Sequence, residues 1–371
     1  MANVLGLVSF KVFPTHMGGQ KGVAHFYDYL SKHHSVFIAA SKDNQFEDGK
    51  INFFPALASN EMILLNFFTI RKLQKIIQQH NIQCIIAEHS YTGWVGLLLK
   101  RKTNIPFIIH SHNLESYRFK QMGKWWWKLY WMYEKWIHKK ADHNFFISEE
   151  DMSSGIKEFE LNEKKCSVIT YGVDKIVQKK EARDQLKRIL GIGDEAVLLF
   201  NGTLNYKPNI DAVRNLLRHV DLHLQKKNLS YNIVITGSQA TASLQKQMAD
   251  NQRCIYTGFV ADIDLYYQGA DLFLNAVNND SGIKTKVVEA LANSCTVIST
   301  EAGAAGLRKE VCGNKLIIVP DKDWNIFAHT IIENLDKTQA DTPSQFYQYY
   351  SWKNITAKAS EKIEEVIKKT G

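Results

Sequence analysis

"LFLNAVNNDSGIKTKVVEALANSCTVIST", Leu272 to Thr300, decides the fold. It opens on one short apolar run, Leu272–Asn275, and closes on another, Val297–Thr300. Between them Val287, Val288, Ala290 and Leu291 recur with helical spacing. That spacing predicts a helix over Lys284–Ala292, with Asp280 or Ser281 able to cap its start. Strand, helix and strand in so short a span read as a βαβ unit with parallel strands. One feature is out of place. Lys284 and Lys286 occupy the first turns, where the partial positive charge of the helix end makes a cation cost roughly 0.3–1 kcal/mol. Either the lysines splay into water or something anionic binds there.

The same rhythm runs through the rest of the chain. In the first half, strand-like runs fall at Val4–Phe10, Ser35–Ala39, Cys84–Ala87, Phe107–His110, Asn144–Ile147 and Ser167–Thr170. Helix-like segments at Lys21–Lys32, Ile70–His80, Trp94–Lys100, Trp126–Lys140 and Glu149–Phe159 separate them. In the second half, runs at Val197–Asn201, Asn232–Thr236 and Ile255–Thr257 precede the opening stretch, and Leu316–Val319 follows it. Helices are expected there at Ile210–His219, Ala242–Asn251, Ile263–Tyr267 and Trp324–Leu335. Alternation of this kind predicts α/β architecture with parallel sheets, and two series predict two doubly wound domains. The polar stretch Asp174–Gly193 is the expected linker. Open parallel sheets bind ligands at the carboxyl ends of their strands, so the loops after the strands are where chemistry is expected.

Composition narrows the function. The 371 residues are 45% hydrophobic and 23% charged, as in a soluble globular protein. No apolar run reaches the ~18–20 residues of a membrane span. The N-terminus lacks a basic leader, which predicts a cytoplasmic protein. Five scattered cysteines, never in C-x-x-C spacing, predict reduced thiols and no zinc site. Residues 1–172 hold 21 Lys/Arg against 15 Asp/Glu, a net of +6, and the remainder holds 25 against 23, a net of +2. A basic first half suits an acidic ligand or an anionic membrane surface. The dinucleotide, P-loop and nucleophile-elbow motifs are all absent.

Several pieces in order now carry a resemblance. They are Gly18-Gly19 after the first strand, His110-Ser-His-Asn-Leu-Glu-Ser116, Ala141-Asp142 followed by Ile147-Ser148, and Tyr171-Gly-Val-Asp174. Further on come Asn201-Gly-Thr-Leu-Asn-Tyr206, Thr257-Gly-Phe-Val260, Ala270-Asp271, Gly282–Ala292 and Ser351-Trp352. The sequence resembles the retaining GT-B glycosyltransferases of the family-4, glycosyl transferases group 1, type. The resemblance implies a GT-B fold of two Rossmann-like domains facing across a cleft. Residues 1–173 would be the acceptor-side domain and 174–350 the nucleotide-sugar domain. Residues 351–371 would form a helix crossing back to the first. It implies retaining transfer of a hexosyl group to a glycan or lipid-linked acceptor in cell-surface polysaccharide synthesis; the basic first half adds the expectation of a peripheral place on the inner face of the membrane. A UDP- or GDP-linked sugar would be co-substrate, with no separate cofactor, no metal and no nucleic acid partner. Two alternatives share the fold: a sugar-nucleotide epimerase, and a non-catalytic degenerate transferase.

The resemblance also assigns residues. His112 is the expected histidine against the donor sugar, with Lys284 neutralising the diphosphate and Glu289 on the ribose hydroxyls as its catalytic partners. Donor contacts are expected from Gly18, Gly19, Gly202, Thr203, Phe259, Val260, Asp280, Ser281, Gly282, Ile283 and Lys286. His110 is expected to end its strand, with Glu115 beside it on the acceptor side. The common family pattern has two glutamates with seven residues between them, and here Ser281 stands where the first would fall. The phosphate-binding loop that opens the second domain holds only Lys207. No glycosidase-like carboxylate pair is required. Finally, "WWWKLYWMYEKW", Trp125–Trp136, predicts a helix with Leu129, Met132, Tyr133 and Trp136 on its core face. Trp125, Trp126 and Trp131 would then point elsewhere, among lysines, as at a membrane interface.

Overall fold

The computed structural model describes every residue except 16–17, 46–50, 228, 279–281, 336, 338–339 and 371. The chain forms two units, Met1–Gly172 with Tyr350–Gly371, and Val173–Tyr349.

The first unit runs β1 (Asn3–Val8), α1 (Gly18–Leu30), β2 (Ser35–Ser41), β3 (Asn52–Leu57), a 3₁₀ segment Asn60–Thr69, α2 (Ile70–Gln79), β4 (Cys84–Glu88) and α3 (Gly93–Thr103). It continues through β5 (Phe107–Ser111), α4 (Glu115–Gln121), α5 (Trp127–Lys140), β6 (His143–Phe146), α6 (Glu149–Phe159) and β7 (Cys166–Val168). All seven strands are parallel, in the order β3-β2-β1-β4-β5-β6-β7. Central strands read as continuous apolar runs because helices cover both faces: β4 and β5 are buried at every position.

In the second unit the elements are α7 (Ala182–Leu190), β8 (Ala196–Asn201), α8 (Lys207–Asn215) and α9 (Asp221–Leu224), the last two joined by a π turn. Then come β9 (Tyr231–Thr236), α10 (Ala242–Ala249), β10 (Cys254–Gly258), α11 (Ile263–Gly269), β11 (Leu272–Asn275), α12 (Thr285–Ala292), β12 (Val297–Thr300), β13 (Leu316–Val319), α13 (Trp324–Leu335) and α14 (Ser344–Tyr350). The strand order is β10-β9-β8-β11-β12-β13, again parallel. The last helix, α15 (Trp352–Thr370), packs on α1 in the first unit. Its Trp352 stacks on His25 at 5.9 Å, and a Cβ on Gly172 would come within 2.5 Å of the indole.

Three expectations are corrected. The stretch Asp174–Gly193 is not a free linker, because α7 buries Ala182 and Leu186 against α11, where Gly269 leaves room for the Leu186 side chain. β3 was not expected; Pro55 breaks its pattern, and the strand survives because it lies at the sheet edge. The core face of α5 agrees with the predicted one only at Tyr133, which packs half-buried on the core and donates its hydroxyl to Ser90 O. Leu129, Met132 and Trp136 are 62%, 63% and 42% exposed, whereas Glu134, Ile137 and His138 are buried. Trp131 packs edge-on against Phe159, and Trp126 lies tilted against Phe119 at 4.6 Å. The reason is polar: Glu134 accepts hydrogen bonds from the first backbone N–H groups of α4, which turns that side of α5 inward.

Candidate functional site

In each sheet the strand order reverses once, between β1 and β4 in the first unit and between β8 and β11 in the second. Loops that leave a parallel sheet at such a point diverge and open a crevice. Both residue clusters lie at these points.

In the first unit, Glu88 ends β4 and pairs in register with His110 on β5. Its carboxylate is fully buried and shared: Oε1 lies 3.2 Å from His110 Nδ1, and Oε2 lies 2.6 Å from His112 Nε2. The His112 ring sits between two others, 4.4 Å from His110 and 4.6 Å from His89 between centroids. His89 has φ +58° and ψ 163°, a backbone conformation that costs a non-glycine residue on the order of 1–3 kcal/mol. Its Nδ1 approaches Glu115 Oε1 at 3.2 Å. Glu115 accepts in addition from Tyr91 Oη at 2.5 Å and from Arg118 Nε at 2.7 Å. Behind these, Glu134 accepts from the N–H groups of Glu115 and Ser116 and from the Ser90 hydroxyl.

Burial raises the cost of charge on all of these groups, and their neighbours decide the outcome. Burial pushes the Glu88 carboxyl up, but His110 and then His112 pull it well below the usual carboxylate range. His112 is lowered to about 4 by burial and by the adjacent His110 and His89, against the opposing pull of Glu88. Glu115 is lowered to about 2: burial would raise it, but His89, Arg118 and Tyr91 prevail. Glu134 is raised to about 7 by burial. At neutral pH, Glu88 is therefore an anion and His112 a neutral ring. Among the described residues, Glu88, His110 and His112 are also the set whose ligand atoms converge, within 4.8 Å of one another, where a divalent ion could be held.

In the second unit, the turn after β9 presses on the turn after β8. A Cβ on Gly237, at φ +143°, would come within 1.9 Å of the Gly202 carbonyl oxygen, so only glycine fits. The Gly237 N–H donates to Gly258 O at 2.8 Å, which ties in the turn after β10, where Phe259 is 72% exposed and Val260 follows. From β11 the chain returns through Gly282 (φ +63°) and Ile283 to Lys284, which caps α12. Lys284 Nζ donates to Gly282 O at 2.9 Å. Lys286 Nζ donates to Asn209 Oδ1 at 2.9 Å and stands 4.1 Å over the Phe200 ring. Asn209 Nδ2 in turn donates to Thr203 O at 3.0 Å. Among the described residues no carboxylate forms an ion pair with Lys286. Burial, then repulsion from Lys284, lowers it to about 7.

The structure thus joins Gly202, Thr203 and Lys286 through Asn209, which sequence reasoning did not single out, and sets Lys284 on Gly282 O at the start of the same helix. Glu289 lies one turn further along α12, half-buried beside Tyr267. Lys207 stays outside this group, 84% exposed and paired with Asp211. Asp280 and Ser281 lie outside the described residues. In the first unit His110, His112 and Glu115 come together as one cluster, while Gly18 and Gly19 open α1. A Cβ on Gly19 would meet nothing within 4 Å. Glu88 and His89 stand in a loop after a strand, where the sequence places chemistry, but the sequence assigns neither of them a role. Their one sequence signal is a carboxylate and a histidine at the end of a buried strand, beside the point where the sheet order reverses.

Known proteins resemble the chain along its whole length. Residues 17–175 match the family model described as Glycosyltransferase Family 4, and residues 195–337 match Glycosyl transferases group 1. The O-antigen biosynthesis glycosyltransferase WbnH of Escherichia coli is 21% identical over 324 residues, covering 85% of this chain and 87% of that protein. Among solved structures, sucrose-phosphate synthase from Thermosynechococcus elongatus superposes with a TM-score of 0.77 at 16% identity, covering 99% of this chain and 100% of the other. Anabaena HepE in complex with UDP-glucose gives 0.70 at 15% identity, covering 100% and 98%. The two parallel α/β units are those of the GT-B fold.

Proposed function

We propose that this chain, a glycosyltransferase of the group 1 type, moves a hexosyl group from a UDP- or GDP-linked donor to a glycan or lipid-linked acceptor, with retention of configuration. The observation that carries the donor reading is the Lys284–Lys286 pair at the start of α12, with Lys286 held against the Thr203 turn through Asn209 and Lys284 on Gly282 O. Two cations and a helix N-terminus form a site that a diphosphate completes. Glu289 takes the ribose hydroxyls from the same helix. That HepE is solved with UDP-glucose supports a uridine donor.

In the reaction, the bond from the sugar C1 to the diphosphate oxygen breaks as the acceptor oxygen attacks the same face. The acceptor proton passes to the departing diphosphate. Lys284 and Lys286 stabilise the negative charge that develops on the leaving group. His112 orients the sugar, and no covalent intermediate is formed on the protein. Neither step requires a metal.

Surface character supports a lipid-linked acceptor at an anionic membrane. No described helix is long and apolar enough to cross a membrane. Yet the 3₁₀ segment Asn60–Thr69 exposes Leu64, Phe67 and Phe68 at 79%, 66% and 80%. Met62, Leu65 and Thr69 of this segment line a cavity of about 660 Å³ together with Leu57, Lys11, Lys42 and Asp43. Exposed apolar patches of this kind mark contact surfaces, and the lysines suit a phosphate-bearing lipid. Incubation with UDP- and GDP-hexoses, with and without a lipid extract, tests the whole reading. The expected result is acceptor-dependent release of nucleoside diphosphate and a product anomer matching the donor. Donor conversion without acceptor would make the protein an epimerase. An inverted product would remove retention.

A further inference from the structure

We propose that Glu88 is a positioning residue for sugar transfer, holding His112 as the Nε2–H tautomer so that Nδ1 is left to accept a hydrogen bond from a sugar hydroxyl. The inference rests on reading His112 as the residue that meets the donor sugar.

The geometry leaves little choice of proton position. A carboxylate only accepts hydrogen bonds. With Glu88 Oε2 2.6 Å from His112 Nε2, that nitrogen must carry the proton. The other oxygen takes the proton on His110 Nδ1 at 3.2 Å, so one buried anion fixes two rings. Glu88 cannot drift, because β4 and β5 pair it with His110 in the ladder. No hydrogen bond engages His112 Nδ1 among the described residues. The ring is clamped on both sides: His110 lies 4.4 Å from it, and His89 lies 4.6 Å away on a strained backbone held by Glu115. A histidine kept only for packing would need none of this. Burying an unneeded carboxylate costs stability that an apolar side chain of the same size would not. The second, ion-paired arm of the cluster, Glu115 with Arg118 and Tyr91, leaves the His112–Glu88 pair untouched and holds His89 through Glu115 Oε1.

The wild-type tautomer can be read without activity. With ¹⁵N-labelled histidine, His112, assigned by its loss in His112→Gln, should show a protonated Nε2 and an unprotonated Nδ1 at pH 7. A protonated Nδ1, or an imidazolium, would overturn the proposal. The kinetic arm uses Glu88→Gln, nearly the same in shape. Its amide can donate to His112 Nε2 and so flip the ring to Nδ1–H. A wrong tautomer of a site histidine is very costly to turnover, so kcat should fall about 100-fold, with donor KM changed less than about threefold. In the His112→Gln background the same change should cost less than about twofold. An equal fold-loss in both backgrounds would mean that Glu88 serves structure alone. Should Glu88→Gln fail to fold, the spectrum of the wild type still decides. Should wild-type protein transfer no sugar at all, the functional reading fails while the tautomer result stands by itself.

Discussion

The two clusters treat charge in opposite ways. In the first unit the buried charges are answered internally: Glu88 by His110 and His112, Glu115 by His89 and Arg118. In the second, Lys284 and Lys286 start the same helix, and Lys286 rests on a neutral amide and an aromatic face. The consequence appears in the protonation states. His112 is settled as a neutral ring, whereas Lys286 is lowered to about 7 and loses its charge easily. The first cluster is built in advance to hold one geometry. The second, on the proposed reading, is completed by the donor diphosphate. A preorganised site loses function when its geometry changes, and a site awaiting an anion loses affinity when its charge is removed.

That contrast can be broken by experiment. The largest effect is expected from Lys284→Gln combined with Lys286→Gln. Each charge-assisted contact contributes roughly 1.5–3 kcal/mol, so nucleoside diphosphate affinity should drop on the order of 100-fold or more. Nucleoside affinity should stay within about twofold. The empty double variant should be no less stable by thermal unfolding, since the lysines oppose the helix dipole and each other. Equal losses for nucleoside and diphosphate would place the anion elsewhere. Next comes Glu289→Ala, expected to weaken donor binding about 10- to 150-fold through the lost hydrogen bond to the ribose. Unchanged turnover at sub-saturating donor would remove Glu289 from the site. The smallest effect concerns the surface. Phe67→Ser with Phe68→Ser should weaken co-sedimentation with anionic vesicles by about tenfold, consistent with partial burial of two phenyl rings. Binding should also fade at high salt. Indifference to both changes would leave the exposed strip without a membrane role.

The sequence made the helical and strand rhythm legible, but only where burial is one-sided or continuous. The expected spans Leu272–Asn275, Val297–Thr300, Leu316–Val319 and Glu149–Phe159 coincide with elements of the structure. For the last, the Ser148 side chain accepts from Asp151 N–H, a cap that the sequence displays openly. The 3₁₀ segment Asn60–Thr69 escaped because its apolar residues follow no period of 3.6 or 2. In α5 apolar residues occur all round the helix, so periodicity could not tell that the polar Glu134 marks the inner face. The second-unit site was legible through charge: two lysines where a helix repels them. In the first-unit site the sequence assigned roles to His110, His112 and Glu115, and to Glu88 and His89 only a place in a strand-end loop. Glu88 follows an apolar run as any strand end does, and its role emerges only when parallel pairing brings β4 beside β5.

The most direct measurement is a calorimetric titration of the wild-type chain with UDP and GDP, and with uridine and guanosine, at pH 8 in two buffers of different ionisation heat. In the empty protein Lys286 has its pKa lowered to about 7, so at pH 8 it is mostly neutral. A bound diphosphate raises that pKa again, and binding must then draw a proton from solution. The account predicts that one diphosphate binds at least about 100-fold more tightly than its nucleoside and takes up close to one proton at pH 8. Uptake should vanish in Lys286→Gln, and affinity should fall about fivefold between pH 7 and pH 8. Diphosphate and nucleoside binding alike, with no proton taken up, would contradict it.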